Sequence, residues 1–181
     1  MKLKLLILVL ALQTAWILGT TFVQERTLKG GKVVLLETRP ADPRDLIRGD
    51  YVTLGYKISD VAFDRFSPPL TKGLAPGETV YVVLEPRGEF HEVAQAATNP
   101  ITPGAGQVVL KGHARSWWNS VNQQTVRVEY GLERYYVREG TGNPVGKLTV
   151  QAAVPDSGLA KIKAVFVDGK PYAEVMKKVA R

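Results

Sequence analysis

The first hydrophobic segment of the chain is long enough to cross a membrane. Apolar residues run from Leu5 to Val23, and the polar or small residues that break the run are Gln13, Thr14, Gly19, Thr20 and Thr21. About 19 residues at about 1.5 Å each form a helix of about 28 Å, which spans a hydrocarbon core. A cleaved signal peptide would need a shorter apolar stretch and a small-residue cleavage site, which Leu18-Gly19-Thr20 matches poorly. We therefore predict a retained membrane anchor over residues 1–25.

Beyond Gly30-Gly31 the pattern changes to short stretches in which apolar and polar residues alternate. Across 51–59, the face with Val52, Leu54, Tyr56 and Ile58 is apolar, which is typical of a half-buried strand. Seven other stretches are predicted to be strands: 32–37, 79–84, 92–97, 107–114, 125–132, 148–154 and 160–167. Turn residues at 155–158 and 168–169 close the last two strands.

Short strands separated by turns predict a mainly β fold, an antiparallel sandwich or barrel-like domain over residues 26–172 that follows one N-terminal transmembrane helix. Helical patterns are confined to 43–47 and to the C-terminus. There Tyr172, Val175, Met176 and Val179 recur at helical spacing. Residues 173–181 form a basic C-terminal tail, which we expect to dock on the domain rather than on anionic lipid.

The composition narrows the possible chemistry. The chain carries a formal charge of +7, but its basic residues are scattered, so we expect no nucleic acid partner. The absence of cysteine excludes disulfides, thiolate metal sites and cysteine nucleophiles. The two histidines, His91 and His113, lack the further ligands of a zinc site, so we predict no metal and no cofactor.

Basic residues flank the predicted anchor on both sides. Lys2 and Lys4 favour a cytoplasmic N-terminus, whereas Arg26, Lys29 and Lys32 favour the opposite orientation. The short N-terminal segment is typical of a signal-anchor. We therefore predict a single-pass membrane protein whose soluble domain lies outside the cytoplasm.

The most distinctive stretch reads ETRPADPRDLIRGDYVTLGYKIS and runs from Glu37 to Ser59. Within it, Arg48-Gly49-Asp50-Tyr51 followed by Leu54 and Tyr56 resembles the motif that names the GDYXXLXY protein family. The block 129–137 is similar to a second motif of that family, and the resemblance spans roughly residues 33–172. It implies a membrane-anchored bacterial protein that associates with a multi-pass membrane protein, and it implies no established activity.

The same motif supplies the candidate binding residues. Gly49 allows a positive φ at a sharp strand entry, and Asp50 can accept hydrogen bonds from nearby backbone N–H groups. Leu54 and Tyr56 share the apolar face, so we expect them to be structural. Packing into the core accounts least for the presence of Arg48, Asp50 and Tyr51 in the motif. These three residues form either a binding surface or an Arg–Asp ion pair that, with the Tyr51 hydroxyl, holds the turn together.

A second candidate pair, Glu133 and Arg134, interrupts an otherwise alternating run. If that run pairs beside Tyr51, Glu133 could meet Arg44 or Arg48. The candidate binding residues are therefore Arg48, Gly49, Asp50, Tyr51, Glu133 and Arg134.

Three functions remain open from the sequence. The first is a non-enzymatic interaction or accessory subunit of a membrane assembly. The second is a hydrolase similar to signal peptidases with a serine nucleophile and a lysine base, although no serine lies in the Ser-Met context of those enzymes. The serines considered are Ser59, Ser67, Ser116, Ser120 and Ser157. The third is binding of anionic lipid or nucleic acid through basic charge, which added salt would weaken.

Overall fold

The computed structural model describes residues 2–39, 51–115, 124–137 and 146–179. It is mainly β, with antiparallel sheets and one N-terminal apolar helix, which confirms the predicted fold class. The elements in chain order are α1 (Lys2–Gly30), β1 (Lys32–Glu37), β2 (Tyr51–Thr53), β3 (Asp60–Ala62), β4 (Thr79–Arg87), β5 (Phe90–Ala97), β6 (Val108–Ala114), β7 (Thr125–Glu129), β8 (Arg134–Tyr136), β9 (Leu148–Val154), β10 (Lys161–Val167), β11 (Lys170–Pro171) and α2 (Tyr172–Val179). Short 3-10 turns at Lys57–Ser59 and Phe63–Arg65 flank β3.

Helix α1 is long and apolar enough to cross a membrane. The stretch Leu3–Gly30 contains an 18-residue window with a mean hydropathy of 2.0, and no part of that window is buried in the protein. The helix ends at Gly30, and β1 begins two residues later at Lys32. Strand β1 therefore begins after Gly30-Gly31, as the sequence pattern predicted, whereas helix α1 extends past the apolar run that ends at Val23.

Five strands form a nearly closed sheet in the order β3-β7-β6-β4-β5. The chain just after β3 reaches the far edge of this sheet, because Phe66 bridges Ala96 of β5 in a parallel arrangement. The backbone N–H of Ser67 also donates to the Ala96 carbonyl at 2.9 Å. These bonds satisfy backbone groups at a strand edge that would otherwise be exposed.

A second sheet has the order β1-β9-β10-β11 and follows directly from helix α1. β1 pairs with β9 from Lys32↔Val154 to Glu37↔Thr149. On the other side of β1, the Leu35 N–H donates to Nδ1 of His91 on β5 at 3.3 Å. A histidine side chain thus joins this sheet to the five-stranded one.

Two predicted strands are shorter in the structure than the alternation indicated. The stretch 51–59 is paired as β2 only to Thr53, after which its backbone changes partner and Tyr56 bridges Thr38 at the end of β1. The stretch 125–132 ends as a strand at Glu129, and the chain then turns through Gly131 at a φ of +76°. Alternating burial continues past both strand ends because the chain stays in contact with one core.

The C-terminal helix α2 docks on the domain through its apolar face. Tyr172 and Met176 are buried in the common core, and the Tyr172 ring meets the Tyr135 ring edge-on with centroids 5.4 Å apart. The hairpin turn at 155–158 is confirmed by the Gly158 N–H, which donates to the Pro155 carbonyl at 2.9 Å. The predicted short helix at 43–47 lies outside the described residues. The division into anchor, domain and tail at residues 25 and 172 stays a prediction.

The hydrogen bond between His91 on β5 and Leu35 on β1 gives a first testable prediction. Desolvation lowers the pKa of His91, and its Nδ1 must be unprotonated to accept the Leu35 N–H. The neutral ring therefore contributes stability above the ordinary histidine pKa of about 6.5, and this contribution is lost as the pH falls through the lower pKa of the folded state. We expect the free energy of unfolding of the full chain in detergent to decrease between about pH 7 and about pH 5.

Denaturant titrations across this pH range provide the measurement. His91→Gln removes the titrating ring and should flatten the dependence. His113→Gln should retain it, because the His113 side chain is exposed. The same pH slope in the His91 variant as in the native chain would contradict the assignment.

Candidate functional site

Of the described candidate binding residues, Tyr51 and Arg134 come together on the two-stranded ribbon of β2 and β8, and Glu133 lies in the turn just before β8. In this antiparallel pair Tyr51 lies opposite Tyr136, and Thr53 lies opposite Arg134. The strand carrying Arg134 therefore does pair beside Tyr51. Arg48, Gly49 and Asp50 lie outside the described residues, as do Arg44 and its predicted contact with Glu133.

The outward face of this ribbon carries two tyrosines and an arginine. The guanidinium carbon of Arg134 lies 5.3 Å from the centroid of the Tyr51 ring, within the range of a cation–π contact. The Tyr51 and Tyr136 rings are tilted against each other with centroids 6.0 Å apart. Tyr136 is 71% exposed. We call Tyr51, Arg134 and Tyr136 the aromatic ribbon.

The inward side of the same motif is a pair of crossed hydrogen bonds. The Tyr56 hydroxyl donates to the Leu132 carbonyl at 2.6 Å, and the Tyr130 hydroxyl donates to the Ile58 carbonyl at 2.7 Å. Leu54, the other apolar residue of the motif, is buried beside them. Burial raises the pKa of both tyrosines, so both hydroxyls remain protonated donors. We call Tyr56 and Tyr130 the tyrosine clamp.

Glu133 is bound within its own turn. Its Oε1 accepts the Tyr130 N–H at 2.7 Å, and its backbone carbonyl accepts the Leu54 N–H at 2.8 Å. One residue thereby fixes the turn between β7 and β8 and also ties that turn to the motif segment. In the described part of the chain, its carboxylate acts on the backbone of the domain rather than on the exposed aromatic ribbon.

A charged cleft of about 240 Å³ lies between β1, β3 and β5, and the sequence did not point to it. Glu37 lines this cleft, and its carboxylate accepts hydrogen bonds from Nζ of Lys147 at 2.7 Å and from Nζ of Lys57 at 2.5 Å. Beside it, Asp60 pairs with Arg39 and, at 3.5 Å, with Arg127. Each carboxylate is thus shared by two cations that are more exposed than the carboxylate itself.

The electrostatics of this cleft favour fixed ion pairs over proton transfer. Hydrogen bonds from Lys147 and then from Lys57 lower the pKa of Glu37, so this carboxylate stays ionised at neutral pH. A general base works best with a pKa near the operating pH, and both neighbouring cations shift Glu37 away from it. Among the described residues, no group of three histidine, aspartate or glutamate side chains is placed to hold a metal ion.

The serines of the described segments give no nucleophile–base pair. Ser59 is buried with 4% of its surface exposed. Ser67 and Ser157 are exposed, and no hydrogen bond joins either of them to a lysine within those segments. Lys57, the lysine nearest to Ser59 in sequence, is instead paired with Glu37. Ser116 and Ser120 lie outside the described residues.

Comparison with known proteins identifies one family. The family model described as "GDYXXLXY protein" matches residues 13–165, which is most of the chain, and confirms the resemblance drawn from the motif. No curated protein and no solved structure matches the chain. The matched range begins inside helix α1 and ends inside β10, so the family pattern includes part of the apolar helix together with most of the β domain.

The tyrosine clamp gives a second prediction. Tyr56→Phe and Tyr130→Phe each remove a buried hydroxyl and leave a carbonyl without that donor. We expect each change to lower the free energy of unfolding by about 1–3 kcal/mol. Denaturant unfolding of the full chain in detergent measures the loss.

Tyr136→Phe is the matched control, because the Tyr136 side chain is exposed and the same atom is removed. Its effect should stay within about 0.5 kcal/mol. Equal losses in all three variants would show that the crossed hydrogen bonds do not stabilise the fold.

Proposed function

Since the chain belongs to the GDYXXLXY protein family, whose name supplies a motif and no activity, we propose that it is a membrane-anchored, non-enzymatic interaction subunit. Its exposed apolar helix continues into the β domain without a linker, and this is the observation that carries the proposal. The domain is held against the membrane and presents the aromatic ribbon to a multi-pass membrane protein.

The joint between helix and domain is short and closely packed. The Gly31 N–H donates to the Thr27 carbonyl at 2.9 Å, which extends the helical hydrogen bonding to the first residue after α1. A Cβ atom at Gly31 would lie 2.7 Å from the Thr27 carbonyl oxygen and 3.0 Å from the backbone nitrogen of Val154. The joint therefore requires glycine and rests against the end of β9. Such a joint gives the domain a set orientation relative to its anchor.

The aromatic ribbon has the composition of a protein contact surface. Tyrosine and arginine are enriched among the residues that contribute most to binding at protein interfaces. Arg134 is already placed over the Tyr51 ring, so little side-chain order must be gained on binding. Apart from α1, the large apolar side chains exposed in the described residues are Val33, Tyr136 and Leu159. Tyr136, the most exposed of these, belongs to the ribbon.

Site-specific cross-linking in membranes tests the contact surface. A photoreactive phenylalanine at position 136 should form an adduct with an integral membrane protein, and Arg134→Ala in the same chain should reduce that adduct. The matched position is Lys163, which is exposed on β10 in a different sheet. Equal adducts from both positions, or none from position 136, would contradict the proposal.

The proposed side of the membrane has its own test. The chain contains no cysteine, so Lys163→Cys introduces a single thiol on the domain. If the domain lies outside the cytoplasm, a membrane-impermeant maleimide should label right-side-out vesicles without detergent. Labelling that appears only after detergent is added would place the domain in the cytoplasm.

A further inference from the structure

One polar side chain in the middle of helix α1 has no hydrogen-bond partner among the described residues. Gln13 lies near the centre of the apolar run from Leu5 to Val23, and its side chain is exposed on the helix surface. Its amide carries two N–H donors and a carbonyl acceptor. In a bilayer these groups lie in hydrocarbon, where water is not available to satisfy them.

The hydroxyls of the neighbouring threonines are satisfied within the helix. Thr14 donates to the Leu10 carbonyl at 2.9 Å, and Thr20 and Thr21 each donate to the Ile17 carbonyl at 2.9 Å. A threonine hydroxyl that donates to the preceding turn needs no hydrogen-bond partner outside the helix. Gln13 makes no such bond, so its amide, which carries both donor and acceptor groups, requires an external partner in hydrocarbon.

Gln13 shares one side of the helix with three other residues that carry polar side chains, and we call these four residues the polar face. At about 100° per residue, Thr20, Gln24 and Thr27 fall within about 60° of one another and of Gln13 around the helix axis. Thr14 lies about 100° away from Gln13. The two glutamines and the two threonines therefore form one side, which runs from the middle of the apolar segment toward the β domain.

We propose that this polar face pairs with the same face of a second copy of the chain and that the Gln13 amides hydrogen-bond across the helix pair. The inference rests on the proposed membrane anchoring. Copies inserted with the same orientation carry Gln13 at the same depth, so a two-fold axis brings the amides together. The positive N–H edge of one amide meets the negative carbonyl oxygen of the other, and this charge complementarity favours an identical helix as the occupant.

Energy transfer in vesicles of a neutral phosphatidylcholine tests the pairing with the full chain. The chain is labelled through Lys163→Cys with donor or acceptor dyes, and transfer is followed as the lipid-to-protein ratio changes. Gln13→Leu should raise the dissociation constant of the dimer roughly tenfold. Gln13→Asn, which retains an amide, should recover most of the association.

Thr14→Val is the matched control, since it removes a polar group that is already satisfied and lies off the polar face. It should leave the dissociation constant unchanged. No concentration-dependent transfer in the native chain would overturn the proposal, and so would equal association of the Gln13→Leu and native chains. Transfer that occurs in native membranes but not in pure lipid would also overturn direct pairing, because the two copies would then come together only through another membrane component.

Alkaline extraction separates this inference from the proposed function. A chain that stays in the membrane pellet but does not self-associate overturns the helix pairing and leaves the anchored subunit intact. A chain released by alkali overturns the membrane anchoring and the pairing together.

Discussion

The crossed hydrogen bonds of Tyr56 and Tyr130 are the constraint on which the motif region depends. Each hydroxyl satisfies a carbonyl on the segment that carries the other tyrosine, so the two segments fix each other in register. Both bonds are buried, where a hydrogen bond is stronger and an unpaired carbonyl is more costly. The last tyrosine of the family motif thus faces inward, while Tyr51 at the other end of the motif faces outward to the aromatic ribbon.

The hydrophobic pattern predicted which side chains face the core more reliably than it predicted strand pairing. Leu54 and Ile58 continue the buried face after β2 has ended, and Ile58 does so from a 3-10 turn, because burial requires only that the side chain reach the core. Pairing depends on the partner, and β8 is three residues long. A sequence pattern carries no signal for that length, so the predicted strand extended too far, whereas the start of β1 after Gly30-Gly31 has a local cause and was predicted in place.

The charged cleft likewise could not be predicted from the sequence, because its ion pairs join residues that are far apart along the chain. Asp60 meets Arg39, which is 21 residues earlier, and Glu37 is held by Lys147 from the far half of the chain. No local spacing connects these residues, since the fold alone brings them together. Glu133 was recognised as a residue that interrupts a pattern, but its hydrogen bond to the Tyr130 backbone is a feature of turn geometry that the alternation did not reveal.

A continuous structural path connects helix α1 with the family motif. α1 passes through Gly31 into β1, and six residues at about 3.3 Å each carry the chain about 20 Å along that strand. At its end Thr38 bridges Tyr56, and the Arg39 N–H donates to the Gly55 carbonyl at 2.8 Å. The Tyr56 hydroxyl in turn donates to the Leu132 carbonyl, and the segment that carries Leu132 leads into β8 and the aromatic ribbon. Paired backbone therefore connects helix α1 to the aromatic ribbon without an intervening linker, so the orientation of the ribbon relative to the helix is set by the fold itself.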